Sequence, residues 1–263
     1  MIKRFIVSAL VCSFVLVAFV PTLVAQKSKQ EFYELKIYKL KDKEQGDRVE
    51  AYLKDAYLPA LHQTGVKNIG VFKPEETDTA AGKKIYVLVP YNSMEQFLNT
   101  PELLAADKQY NANGKDYIDA IYSLPTYERI ESILLRAFAG MPKMEAPALT
   151  TPRSERVYEL RSYESASEKI YRNKVQMFNK GDEIGLFRQL GFNAVFYADV
   201  IVGSHMPNLM YMTTFANRPS REEHWKAFRD APEWKKLSAM EEYQHNVSKN
   251  STLFLRPTEY SDY

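Results

Sequence analysis

The sequence predicts an α+β protein in which two copies of a split βαβ unit pack their sheets face to face around a barrel-like interior. Three observations carry this: an internal repeat, a strand–helix–hairpin–helix–strand order of periods in each copy, and an aromatic second face on each sheet that one copy alone would leave in water. Tyr33-Glu34-Leu35 with Tyr38 returns as Tyr158-Glu159-Leu160 with Tyr163, and the run Leu61 to Gly65 returns as Phe187 to Gly191. Phe97 to Glu102 matches Phe228 to Glu233, and Leu124-Pro125-Thr126 matches Arg256-Pro257-Thr258, with offsets of 125 to 132 residues.

In the first copy, Phe32 to Leu40 alternates, setting Tyr33, Leu35 and Ile37 on one face and Glu34, Lys36 and Tyr38 on the other, the pattern of a half-buried strand. Val49, Tyr52, Leu53, Ala56, Ala60 and Leu61 then recur at helical spacing, and Gly65 is placed to end that helix in a left-handed cap. Val66 to Phe72 and Lys84 to Tyr91 form a hairpin, Ser93 caps a second helix, and a last strand is expected around Ile121 to Leu124. The second copy repeats the order: strand 155–164, helix from Ser167 to Leu190 kinked at Asn179-Lys180-Gly181, strands 192–202 and 208–216, helix from about Ser220, strand 252–256. The copies occupy residues 30–138 and 154–263, joined by a linker at 139–153 that carries Gly140, Pro142, Pro147 and Pro152.

Residues 1–25 read as an export signal: Lys3 and Arg4, an apolar run from Phe5 to Val20, and small Ala25 before polar Gln26. Export to a periplasmic or secreted location follows as an expectation, with an uncleaved anchor as its alternative and no membrane insertion once the signal is gone. Without Lys3 and Arg4 the chain has 33 basic and 33 acidic residues, so no field steers it to nucleic acid. The one cysteine, Cys12, lies in the signal, which leaves no disulfide and no thiolate for chemistry or metal binding.

The second copy resembles a NIPSNAP domain. The residues that carry the resemblance are Val157 to Tyr163, Leu190-Gly191-Phe192, Pro207 to Met212, Arg221 to Phe228 with Pro232-Glu233-Trp234, and Leu255 to Thr258, five blocks in order across 155–260. The first copy is a diverged version, with Met94 where Trp225 stands and Leu103 where Trp234 stands. The resemblance implies the dimeric α/β-barrel group, whose members pair two ferredoxin-like sheets and include oxygenases, isomerases, dehydratases and haem enzymes, so it implies fold more than reaction.

The chemical candidates sit on the first strand of each copy, where Glu34, Lys36 and Tyr38 match Glu159, Arg161 and Tyr163. An acid, a cation and a phenol on one face can serve as base, oxyanion partner and proton donor, and the two sets are expected to face each other across the barrel interior together with Tyr211. The competing reading is a row of ion pairs sealing the sheets together. His205, in the loop Gly203 to Pro207, is placed to reach a ligand at the barrel mouth, or is an exposed loop residue; His224 is a helix-face residue, and Trp225 and Trp234 are core. The four histidines show no metal-ligand spacing, and phosphate-loop and nucleophile-elbow motifs are missing, so neither metal nor cofactor is expected. The expected function is binding of a small, partly apolar molecule in the barrel, mainly on the second copy. A cofactor-independent oxygenase or isomerase and a non-catalytic interaction module are the alternatives, and a homo-oligomer is left open.

Overall fold

The computed structural model describes residues 29–263, so the segment read as an export signal lies outside the described residues. The first repeat runs β1 (Phe32–Lys39), α1 (Lys43–Tyr52), a π-helical turn (Leu53–Tyr57), α2 (Leu58–Gln63), β2 (Gly70–Pro74), β3 (Lys84–Tyr91), α3 (Met94–Ala106), the short α4 (Lys108–Asn113) and α5 (Lys115–Ile118), and β4 (Arg129–Ala137). The second runs β5 (Val157–Glu164), α6 (Glu168–Asn179), α7 (Glu183–Gln189), β6 (Asn193–Val202), β7 (Asn208–Phe215), α8 (Arg218–Asp230), α9 (Pro232–Ser238) and β8 (Lys249–Pro257). Ser93 and Ser167 cap α3 and α6 by accepting from the Gln96 and Ile170 amides, and Gly65 takes φ +86° after α2, as their sequence positions require. The expected kink at 179–181 is a complete break. A Cβ on Gly181 would lie 2.6 Å from the Met177 carbonyl, and Asp182 next to it is left-handed.

Both sheets are antiparallel, ordered β4-β1-β3-β2 and β8-β5-β7-β6. Their edges join. Phe72, Lys73 and Pro74 pair with Pro257, Arg256 and Leu255, while Leu134 to Ala137 pair with Val202 to Ala198, so the eight strands close into one barrel. Closure removes all free strand edges, which two open sheets merely stacked would retain.

The structure corrects three expectations. The fourth strand of the first repeat is Arg129–Ala137, whereas Ile121 to Leu124 form an exposed turn, because Ile133, Leu135 and Ala137 supply the inward alternation that a barrel strand needs. The repeat is also in a different register after its second block. The equivalent strands β3 and β7 start 124 residues apart and β4 and β8 start 120 apart, and Pro101 and Trp225 both lie eight residues beyond their N-caps, Ser93 and Asn217. Pro101, not Met94, therefore stands where Trp225 does.

The third correction concerns direction. The barrel interior is a packed apolar core drawn from all eight strands and no helix, including Tyr33, Leu35, Tyr158, Leu160, Phe196 and Met212. Glu34, Lys36, Tyr38, Glu159, Arg161, Tyr163 and Tyr211 point the other way, into the layer between sheet and helices. Side chains fill the interior of this eight-stranded barrel, and it takes the aliphatic and aromatic alternates rather than the charged ones. Helices standing over the outer face can answer the acid and cation with side chains of their own.

Candidate functional site

In the second repeat this layer is closely packed around Glu159, and a void of about 100 Å³ lies away from it beside Ile184, Phe192 and Tyr197. Glu159 is 0% exposed and accepts from Arg221 Nε at 2.9 Å and Nη2 at 2.8 Å, from Trp225 Nε1 at 2.8 Å, and from Arg161 Nη1 at 3.4 Å. Arg221 and Trp225 come from consecutive turns of α8, which presents both to β5. The Arg161 guanidinium lies 4.4 Å from the Trp225 ring centroid and 5.4 Å from that of Tyr163, whose hydroxyl is 2.8 Å from Tyr211. Burial works against the charge on Arg221, but its bonds to Glu159 and Glu222 outweigh that and raise its pKa. Phe178, Phe187, Phe192 and Phe228 fill the remainder, and a Lys174–Glu183 pair at 2.9 Å is buried beside them. Arg161 Nε is buried without a hydrogen-bond partner among the described residues.

In the first repeat the same layer holds a cavity of about 350 Å³. Glu34 and Lys36 rise into it from β1, Tyr91 from β3, Tyr52 and Tyr57 from α1 and the π-turn, and Phe97, Pro101 and Leu104 from α3; Tyr110 and Ile118 complete its wall. Glu34 is 6% exposed. Ser132 donates to its Oε1 at 2.7 Å, Lys36 Nζ is 3.7 Å from the same oxygen, and the Tyr91 hydroxyl donates to Oε2 over a long 3.4 Å. Lys36 also donates to the Tyr57 hydroxyl at 3.2 Å, and the Tyr52 and Tyr110 hydroxyls are 2.9 Å apart. Burial pushes the phenols of Tyr52, Tyr57 and Tyr91 well above their usual pKa, so the cavity presents neutral O–H groups. An acid that accepts, a cation that donates and an aromatic wall can hold a flat molecule by one hydroxyl and its ring faces.

The structure thus brings Glu34 and Lys36 together at a cavity, and Glu159, Arg161, Tyr163 and Tyr211 together in solid packing. Tyr38 stands apart, with its hydroxyl 3.4 Å from that of Tyr117. His205 is an exposed residue of the β6–β7 turn, 3.6 Å from Glu164, and it touches neither Glu34 nor Glu159. Among the described residues no group of three or more His, Cys, Asp or Glu is placed to hold a metal ion. Tyr57, Tyr91 and Tyr110 escaped the sequence reading. Tyr57 falls off the 3.6-residue stripe that contains Tyr52, and the π-turn brings it back to the same wall by adding a residue to the turn.

Residues 158–262 match the sequence model of the NIPSNAP family. No curated protein matches the chain. Among solved structures, a candidate monooxygenase from Lactobacillus acidophilus NCFM superimposes with TM-score 0.58 and 13% identity, covering 87% of this chain and 94% of its own. A candidate monooxygenase from Fusobacterium nucleatum subsp. nucleatum ATCC 25586 gives 0.54 at 11% identity, covering 88% and 93%, and an anthrone oxidase-like protein gives 0.50 at 9%, covering 88% and 93%. All three likenesses extend over both repeats, and at these identities they establish the architecture.

Proposed function

Since its second repeat is a NIPSNAP domain and both repeats together fold as a dimeric α/β barrel within one chain, we propose that the protein binds a small, partly apolar, hydroxylated aromatic molecule in the cavity between sheet and helices of the first repeat. One observation carries this reading. The buried carboxylate of Glu34 borders an open, aromatic-walled cavity, whereas its counterpart Glu159 is closed off by Arg221 and Trp225. A ligand hydroxyl replaces the long Tyr91 contact as donor to Glu34, and the ring lies among Tyr52, Phe97 and Tyr110. Titration calorimetry with methyl 4-hydroxybenzoate tests it. Glu34→Gln should weaken binding at least about tenfold, since a hydrogen bond to a charged acceptor contributes about 1.5–3 kcal/mol, while Tyr211→Phe in the second repeat should leave affinity unchanged. Equal affinity of Glu34→Gln and the parent would contradict the reading.

A catalytic reading is favoured by Lys36, which stands 3.7 Å from Glu34 and 3.2 Å from the Tyr57 hydroxyl. Glu34 would take the ligand's proton, and Lys36 with Tyr57 would hold the oxyanion left behind, the electron-rich species that cofactor-independent oxygenation or isomerisation starts from. Dioxygen uptake or isomer formation that Lys36→Met abolishes while binding persists would support it, and turnover unaffected by that change would contradict it. Export is proposed on Lys3, Arg4 and the apolar run to Val20. Terminal sequencing of the exported protein should begin at Gln26, and an intact Met1 would contradict it.

No helix among the described residues is long and apolar enough to cross a membrane. The inner faces of the two sheets form one packed core, which is the arrangement that the interaction-module alternative, with those faces serving only for assembly of the two repeats, expects.

A further inference from the structure

The cavity of the first repeat shares a wall with a second space. Ile118, the last residue of α5, lines the inner cavity with Glu34 and Tyr110, and it also lines an open groove of about 830 Å³ on its other side with Tyr117, Tyr122 and Tyr127. Neither α4 nor α5 buries a residue completely, and only the half-buried Tyr110 and Tyr117 pack against the core. Arg48 on α1 adds a polar clasp. Its guanidinium donates to the Asp116 carboxylate at 2.7 and 3.0 Å, to the Asp116 carbonyl at 3.2 Å and to the Leu124 carbonyl at 3.1 Å. On the inner side Tyr117 stacks parallel on Tyr52 with ring centroids 3.6 Å apart. Ile118 leans back over the chain, where a Cβ on Gly114 would come within 2.9 Å of its Cδ1. On the outer side Ile121 and Tyr122 lie exposed along the groove.

Isolated exposed apolar residues need no explanation, but here they line a groove that adjoins the aromatic-walled cavity across one isoleucine. Resting on the reading of the inner cavity as a ligand site, we propose that Ile118 is a specificity-determining partition and that the ligand is a hydroxylated aromatic head carrying an apolar chain. The head sits against Glu34, a short chain ends at Ile118, and a longer one must displace that side chain to run out along Tyr117, Ile121 and Tyr122. The groove's occupant is therefore the far end of the same molecule. Length selection comes from a single side chain, because every methylene that reaches the groove leaves water and every one stopped at the wall does not.

Calorimetry with alkyl 4-hydroxybenzoates from methyl to octyl tests this. In the parent protein, affinity should rise along the series and then level off or fall once the chain meets Ile118. Ile118→Ala should raise octyl ester affinity by about tenfold or more, a gain equivalent to two or so additional buried methylenes, and change methyl ester affinity by less than about threefold. Ile118→Trp should do the reverse. Because the Ile118 side chain is exposed and makes no hydrogen bond, melting curves of both variants should match the parent and exclude loss of folding as the cause. Methyl ester binding with the same octyl-to-methyl ratio in the parent and Ile118→Ala overturns the partition and leaves the ligand site standing. No binding of any ester to either protein overturns both.

Discussion

In the second repeat Arg161 lies over Trp225 at 4.4 Å and Glu159 takes two bonds from Arg221, whereas in the first repeat the equivalent Lys36 and Glu34 border an open cavity of about 350 Å³. The strands differ little, and the helices above them differ greatly. Trp225 is matched by Pro101, which lacks an indole to place over Lys36 or to donate to Glu34, and Arg221 is matched by Phe97, which can stack but cannot pair. The break between α6 and α7 lets Phe178 and Phe187 converge, with ring centroids 6.4 Å apart, while the unbroken path from α1 through the π-turn holds Tyr52 and Tyr57 at the cavity wall. An acid and a cation on a strand are thus scaffold or site according to what the opposing helix supplies.

Removing the acids separates the two cases most strongly. Glu159→Ala leaves two guanidinium groups and an indole N–H in a dry layer without their acceptor, and should cost about 3–5 kcal/mol in urea denaturation. Arg161→Met should cost less, since Glu159 keeps Arg221 and Trp225. Glu34→Ala, with fewer partners to strand, should cost under about 1.5 kcal/mol. Comparable losses at Glu34 and Glu159 would break the comparison.

Exchanging volume sharpens it. Trp225→Ala should open a second cavity and cost about 3 kcal/mol or more. Leu104→Phe, which grows into the open space of the first repeat, should be neutral or stabilise by up to about 1 kcal/mol while abolishing ligand binding. A destabilisation of the size expected for Trp225→Ala would mean that the first-repeat cavity is too tight to accept a ring.

Much of this architecture was legible in the sequence. The alternation of β1 and β5, the capping serines 93 and 167 and the left-handed Gly65 each report a local backbone requirement, and local requirements are written in neighbouring residues. The face that looks inward was not legible. Tyr33-Leu35-Ile37 and Glu34-Lys36-Tyr38 are both buried faces, and only barrel closure, set by pairing between residues such as Phe72 and Pro257 far apart in the chain, decides between them. The cavity was hidden for a related reason: it consists of what Pro101 and Phe97 fail to fill, a deficit that appears only once α3 is in register with α8. His205 had only loop position to recommend it, and position in a loop says nothing about what lies within reach.

The smallest expected effect concerns the Arg48 clasp. Its hydrogen bonds hold the Asp116 carboxyl below its usual value of 3.8, with slight burial opposing them. A lowered folded pKa means the clasp's contribution is complete above about pH 4 and is lost as pH falls through the folded value. Hydrogen exchange of residues 114–124, corrected for intrinsic rates, should be flat from pH 7 to 5 and rise below pH 4. A rise already complete at pH 5 would show that another group holds the segment.

Both tryptophans, Trp225 and Trp234, lie in the second repeat, so ligand entering the first should change tyrosine emission far more than tryptophan emission. The crystal structure of the protein with methyl 4-hydroxybenzoate tests the central claim most directly. The account predicts the ester between Tyr52, Phe97 and Tyr110 with its phenol donating to Glu34, and an unchanged second repeat. An ester lodged against Arg161 with Trp225 displaced would contradict it.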